Sequence, residues 1–121
     1  MPGIILYGIP NCDTTKKAMQ WLNINKIEFY FHDYKQQGIS KKKLEEWSDK
    51  LGWENILNKR STTWRALPMA QQDKVVNLQS AIKLMIDNNS IIKRPILEID
   101  DKLLVGFKEE DYVNNLKKNK H

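Results

Sequence analysis

The sequence predicts an α/β fold in two halves, βαβ first and ββα last, with helices inserted between them. Three observations carry that prediction. Near the N-terminus an apolar run gives way to helical spacing and then to alternation within about thirty residues, the size of one parallel βαβ unit. Near the C-terminus two short apolar runs flank an Asp-Asp-Lys turn. Between the halves lie stretches with helical periodicity and no alternation.

Ile4-Ile5-Leu6-Tyr7 is apolar and is closed by Gly8 and Pro10, which reads as a buried strand. From Asp13 the period changes: Thr15, Ala18, Met19 and Leu22 share one face of a helix. Lys26 to Asp33 alternates and carries aromatics, the pattern of a second strand. Gly38-Ile39-Ser40 then opens a helix with Leu44, Trp47 and Leu51 on one face, Ser40 as its N-cap and Gly52 at its end. Asn58 to Leu67 is polar, rich in donors, and reads mostly as loop. A further helix presents Val75, Leu78, Ile82 and Met85, and ends near Asp87-Asn88-Asn89. Ile96 to Ile99 and Leu103 to Val105 form an antiparallel pair around Asp100-Asp101-Lys102, and Glu109 to Asn119 is a last amphipathic helix using Tyr112, Val113 and Leu116. With the central helices set aside, this is the thioredoxin-like order, βαβ followed by ββα.

The chain of 121 residues suits a single domain spanning 1–121, with 40% apolar and 29% charged residues. No apolar run is long enough for a membrane span, and Met1-Pro2-Gly3 passes into the first strand without the order of a signal peptide. Together with a single cysteine, this predicts a cytoplasmic protein. One cysteine also excludes an internal disulfide and any multi-cysteine metal site. The net charge of +5 comes largely from lysines at 41–43 and at 117, 118 and 120. These read as solvated helix faces or a terminal tail rather than an aromatic-lined groove, which argues against nucleic acid and is compatible with small anions such as oxyanions and glutathione.

Cys12 follows a strand and a tight turn and precedes a helix, so its sulfur should face free backbone N–H groups and the positive end of the helix dipole. Both favour the thiolate, which is the nucleophile. Lys16, one turn on, adds positive charge; Asp13 next door opposes it. Arg94-Pro95 stands immediately before a strand, where thioredoxin-like proteins hold a cis peptide bond that turns residue 94 toward the thiol. Arg60 lies in the polar loop with Lys59 and Arg65, and its guanidinium could fork-bond an oxyanion or a glutathione carboxylate. Trp64 reads as packing for that loop, and Asp100 and Asp101 read as turn formers rather than metal ligands. A hydrolase would require a histidine base beside Cys12, and His32, at a strand end, and His121 are poor candidates.

Four segments, Y-G-I-P-N-C-D-T-T-K-K-A (7–18), L-G-W-E-N-I-L-N-K-R-S-T-T-W-R (51–65), I-K-R-P-I-L (92–97) and V-G-F-K-E-E-D-Y (105–112), together resemble the arsenate reductase (ArsC)/Spx family. The N-C-D-T-x-K-K and V-G-F signatures are most similar to its YffB-type branch. The resemblance implies a thioredoxin-like fold with a helical insertion. It also implies a mechanism in which one cysteine attacks the substrate, glutathione adds, and glutaredoxin completes the reduction. Cys12 then matches the nucleophile, Arg60 the first of three arginines around it, and Arg94 the second. The third falls near Val105-Gly106-Phe107-Lys108, where Lys108 supplies a point charge without the fork. Asp13-Thr14-Thr15-Lys16 stands where the arsenate reductases carry Gly-Thr-Ser-Arg. Both departures remove anion-binding groups, so the resemblance implies a glutathione-linked thiol reductase more than arsenate reduction itself. Cys12 would be catalytic, with Arg60, Arg94, Lys16, Pro95 and Lys108 around the glutathione; no cofactor would be bound, and glutathione or glutaredoxin would resolve the intermediate. The alternative it implies is an Spx-like regulator that binds RNA polymerase, although Thr15 replaces the second cysteine of the C-x-x-C redox switch.

Overall fold

A computed structural model describes residues 3–117. The chain forms two compact units, one built from Met1–Asp33 with Arg94–His121 and the other from Tyr34–Lys93. In the first unit β1 (Ile4–Gly8), α1 (Asp13–Ile24) and β2 (Tyr30–Asp33) are followed by β3 (Ile96–Ile99), β4 (Lys102–Val105) and α8 (Glu109–Leu116). The four strands form one sheet in the order β2-β1-β3-β4, with β1 parallel to β2 and antiparallel to β3. This is the thioredoxin-like fold that the element order predicts.

Register explains the core of this unit. Phe31, Leu6, Leu97 and Leu104 occupy one row across the four strands, and the side-chain period of two puts them on the same face. There they meet Ala18 and Leu22 of α1 and Tyr112 and Leu116 of α8. Tyr112 packs edge-on against both Trp21 and Phe107, at centroid distances of 5.5 and 4.8 Å. On the opposite face Tyr7 stacks on His32 at 4.8 Å and donates its hydroxyl to Glu98 at 3.2 Å. The histidine is thus part of the packing of the sheet.

The second strand is shorter than its alternation predicts. Residues 26–29 are not in the sheet, because α1 closes in a Schellman motif. Lys26 adopts a left-handed φ of 57°, its N–H bonds the Asn23 carbonyl, and the Ile27 N–H bonds the Leu22 carbonyl at 2.9 Å. The alternating residues Ile27, Phe29 and Phe31 still pack on the Leu6 and Leu22 cluster, which is why the segment reads as a strand. A similar local device turns the hairpin, where Asp100 has a φ of 53° and Lys102 belongs to β4 rather than to the turn.

The second unit is more helical than the two predicted helices. It contains α2 (Tyr34–Gln37), α3 (Lys41–Leu51), α4 (Trp53–Ile56), α5 (Thr62–Ala66), α6 (Met69–Gln72), α7 (Leu78–Asp87) and a short 3-10 turn (Asn89–Ile91). Ser40 caps α3 as predicted, accepting from the Lys43 N–H at 3.1 Å. The segment 58–67 read as loop holds α5, because Ser61 accepts from the Trp64 N–H and starts a helix that the polar composition conceals. Val75 lies before α7, not in it: Asn77 and Ser80 form a reciprocal capping box that begins the helix at Leu78. Leu44 and Trp47 of α3 and Ala81, Ile82 and Met85 of α7 are buried. Leu57 and Ile92 bridge in an antiparallel sense, flanked by bonds from Asn58 N–H to the Ile91 carbonyl and from Lys93 N–H to the Ile56 carbonyl.

The predicted last helix runs beyond α8; Lys118, Asn119, Lys120 and His121 lie outside the described residues. Among the described residues no helix is long and apolar enough to cross a membrane.

Lys26→Gly removes the side chain from a left-handed position, where an L-residue is disfavoured by roughly 1–2 kcal/mol; part of that gain is lost to the freer unfolded chain. A net rise of about 0.5–1 kcal/mol in denaturant-measured stability is expected, and a fall would contradict the Schellman assignment. Tyr112 is fully buried, its hydroxyl finds no protein partner, and burial pushes the phenol well up. A raised acid pKa in the folded state means stability held at neutral pH and lost as pH rises above the free tyrosine value of about 10. Tyr112→Phe should match or exceed wild-type stability near neutrality and flatten that alkaline fall. An unchanged alkaline fall would rule this assignment out.

Candidate functional site around Cys12

The turn out of β1 delivers Cys12 to the start of α1. Its N–H bonds the Ile9 carbonyl at 3.1 Å, and its own carbonyl accepts the Lys16 N–H at 2.9 Å. Cys12 is therefore the N-cap residue, with extended backbone angles of −88° and 124°. The thiol is half-buried and in no disulfide. It makes no close capping bond, so the groups around it act on the charge of the sulfur rather than anchor the thiol.

Partial burial is the largest influence on this thiol and opposes ionisation. It is outweighed by the Thr15 hydroxyl, then by the N–H groups of Thr15 and Thr14, and then by the Arg94 charge, so the pKa lies below the ordinary thiol value. The Thr15 side chain is completely buried and its hydroxyl has no hydrogen-bond partner, so a charged Cys12 sulfur gives it an acceptor. Asp13 is exposed in the first helical turn and does not reverse the balance.

The residues singled out from sequence fall into different places. Arg94 is half-buried and its charge acts on Cys12; the bond to the buried Pro95 is cis. The Pro95 carbonyl accepts from the Gly106 N–H at 2.8 Å, which ties the Val-Gly-Phe segment to the start of β3. Lys108 follows that segment as the exposed N-cap residue of α8. Lys16 is exposed on α1, and the charge that acts on the sulfur is that of Arg94. Arg60 belongs to the other unit and is exposed. Its N–H bonds the Asn58 side chain at 3.0 Å, and Ser61, the next residue, bonds the Asn58 carbonyl at 2.8 Å. Trp64 is buried beneath the same loop, with the Lys59 ammonium 5.6 Å from its ring. Among the described residues no group of three His, Cys, Asp or Glu could hold a metal ion.

Sequence reasoning missed Thr15 as a functional group. It reads as a buried position of the helix stripe and as the absent second cysteine. Its spacing from Cys12 is the signal: N-cap and N3 residues face one another across the first turn, as in a capping box.

Residues 7–115 match the model of the ArsC family. A solved structure named as the YffB protein is 44% identical, superposes with a TM-score of 0.89, and covers 93% of this chain and 98% of its own. An arsenate reductase (ArsC) related protein from Brucella melitensis is 43% identical with a TM-score of 0.73, covering 97% and 96%. The global transcriptional regulator Spx 2 of Lactococcus lactis is 29% identical over 110 residues, 89% of this chain and 82% of that protein. With the family's pattern matched from the strand before Cys12 to the last helix, this chain belongs to the ArsC family.

Proposed function

We propose that this protein is a cytoplasmic, thiol-dependent reductase of the arsenate reductase-like kind, with Cys12 as nucleophile and an external thiol as reductant. The observation that supports it most is the environment of Cys12, where three hydrogen-bond donors and Arg94 favour the thiolate against partial burial. The Cys12 thiolate attacks one sulfur of a disulfide; that S–S bond breaks and the other half leaves as a thiolate. The glutathione thiolate then attacks the Cys12 sulfur, releases the remaining substrate half as a second thiolate, and stays on Cys12. A glutaredoxin thiolate removes the glutathione and restores the Cys12 thiolate. The substrate gains two electrons, supplied by one thiol of glutathione and one of glutaredoxin.

In this scheme Arg94 supports the thiolate, and Arg60 binds a glutathione carboxylate through its guanidinium. Pro95 borders the glutathione, while Lys16 and Lys108, both exposed, attract its negative charge. A disulfide fits these groups better than arsenate: Lys108 is a point charge, and Asp13 opposes an approaching oxyanion. No cofactor is needed for the exchange.

A second reading is an Spx-like regulator that binds RNA polymerase, favoured by the likeness to Spx over 110 residues. Thr15 replaces the second cysteine of the Spx switch, so such regulation would act through protein contact alone.

Turnover separates the two. The wild type should speed reduction of a mixed glutathione disulfide above the rate that glutathione and glutaredoxin reach alone, and Cys12→Ser should abolish that increment. No turnover, combined with retention of RNA polymerase from lysate, would establish the regulator instead. The rate of Cys12 alkylation should rise with pH around a midpoint below the free thiol value of about 8.5. Arg60→Ala should weaken glutathione binding roughly tenfold without moving the denaturation midpoint. Equal glutathione binding would remove Arg60 from the site.

A further inference from the structure

Behind Cys12 the end of β1 approaches the first turn of α1 more closely than any side chain would permit. A Cβ placed on Gly8 would lie 2.7 Å from the Thr15 hydroxyl oxygen, 2.9 Å from its methyl and 3.4 Å from its Cβ. Both branches of Thr15 are therefore in the way. Rotation about χ1 cannot empty the space, because every staggered rotamer leaves at least one of the two heavy branches there. Thr15 is completely buried, its hydroxyl has no hydrogen-bond partner in the neutral site, and it favours the charged form of the Cys12 sulfur one helical turn away.

We propose that Gly8 is a positioning residue for the thiol: its missing side chain is the space that seats Thr15 with its hydroxyl toward the Cys12 sulfur. Gly8 does not touch the reacting atoms and acts only through Thr15. The requirement is one of volume. Its backbone lies in β1 and is paired with Asp33 of β2, so it is not the conformational freedom of glycine that is used. The chemistry is a donor fixed behind a sulfur that changes charge: with the hydroxyl held there, ionisation gives a buried donor its acceptor. The inference deepens the thiol-reductase reading and rests on it for its purpose.

The test is a double-mutant cycle read by the pH dependence of Cys12 alkylation with iodoacetamide and by thiolate ultraviolet absorbance. Thr15→Val keeps the volume and removes the hydroxyl; its alkylation midpoint should move upward, with alkylation at neutral pH slowed roughly three- to tenfold. Gly8→Ala should move the midpoint in the same direction. Thr15→Ala removes the hydroxyl and methyl that a new Cβ would crowd and leaves only its Cβ at an ordinary contact of 3.4 Å, so adding Gly8→Ala to that variant should leave its midpoint unchanged. If Gly8→Ala alone fails to fold, Thr15→Ala should restore folding. An unchanged midpoint in Gly8→Ala, an equal shift in both backgrounds, or a double variant that does not fold would each overturn the proposal. A wild-type midpoint at the free thiol value would instead overturn the reductase reading. The two failures are distinguishable, because the coupling between positions 8 and 15 is a difference between backgrounds.

Discussion

β1 is paired along both edges, in parallel with β2 and antiparallel with β3, so its carboxyl end has a fixed position and direction. Everything around Cys12 depends on that constraint. The chain leaves β1 at Gly8, turns through Ile9-Pro10-Asn11, and enters α1 with Cys12 as its N-cap. Leu6 on the strand and Ala18 and Leu22 on the helix are fully buried together, which holds α1 against the sheet. Burying each of the two leucines stabilises by about 1.5–3 kcal/mol, more than the roughly 0.5–1.5 kcal/mol net of a typical neutral hydrogen bond. Apolar packing thus fixes the geometry, and the weaker polar groups use it.

Those polar groups set a balance rather than a maximum. Burial opposes the thiolate, and the Thr15 hydroxyl, two backbone N–H groups and Arg94 together overcome it. Three of these four come from the start of α1 itself, and Arg94 arrives from the segment that leads into β3. The sheet brings that segment to Cys12, since Tyr7 and Ile96 are paired neighbours in β1 and β3. A single cysteine in such a setting can begin thiol exchange but cannot complete it within its own chain, which is the basis for assigning the second sulfur to another molecule.

Much of this was legible in the sequence where residue pattern and local chemistry agree. The β1 run, the helix from Asp13, the Ser40 cap and the hairpin at Asp100 each have a short-range physical cause, and the structure contains each of them. The misreadings arose where a local bond competes with the pattern. Lys26 in a left-handed conformation ends α1 and keeps residues 26–29 out of the sheet, although their alternation is real and is used for packing. Ser61 and Asn77 begin helices at places that composition marks as loop or as helix interior. At the candidate site, Cys12 and Arg94 could be recognised from type and position, but the charge balance at the sulfur could not. It depends on the hydroxyl of Thr15, which packs against Gly8 across the strand-to-helix turn.

The proposed chemistry requires Cys12 to be a nucleophile that exchanges with external thiols. Its most direct test is intact-protein mass spectrometry after brief exposure to glutathione disulfide and acid quenching, followed by addition of glutaredoxin. One glutathione should be bound through Cys12, none in Cys12→Ser, and glutaredoxin should remove it. A chain that remains unmodified, or whose glutathione adduct glutaredoxin does not remove, would contradict it.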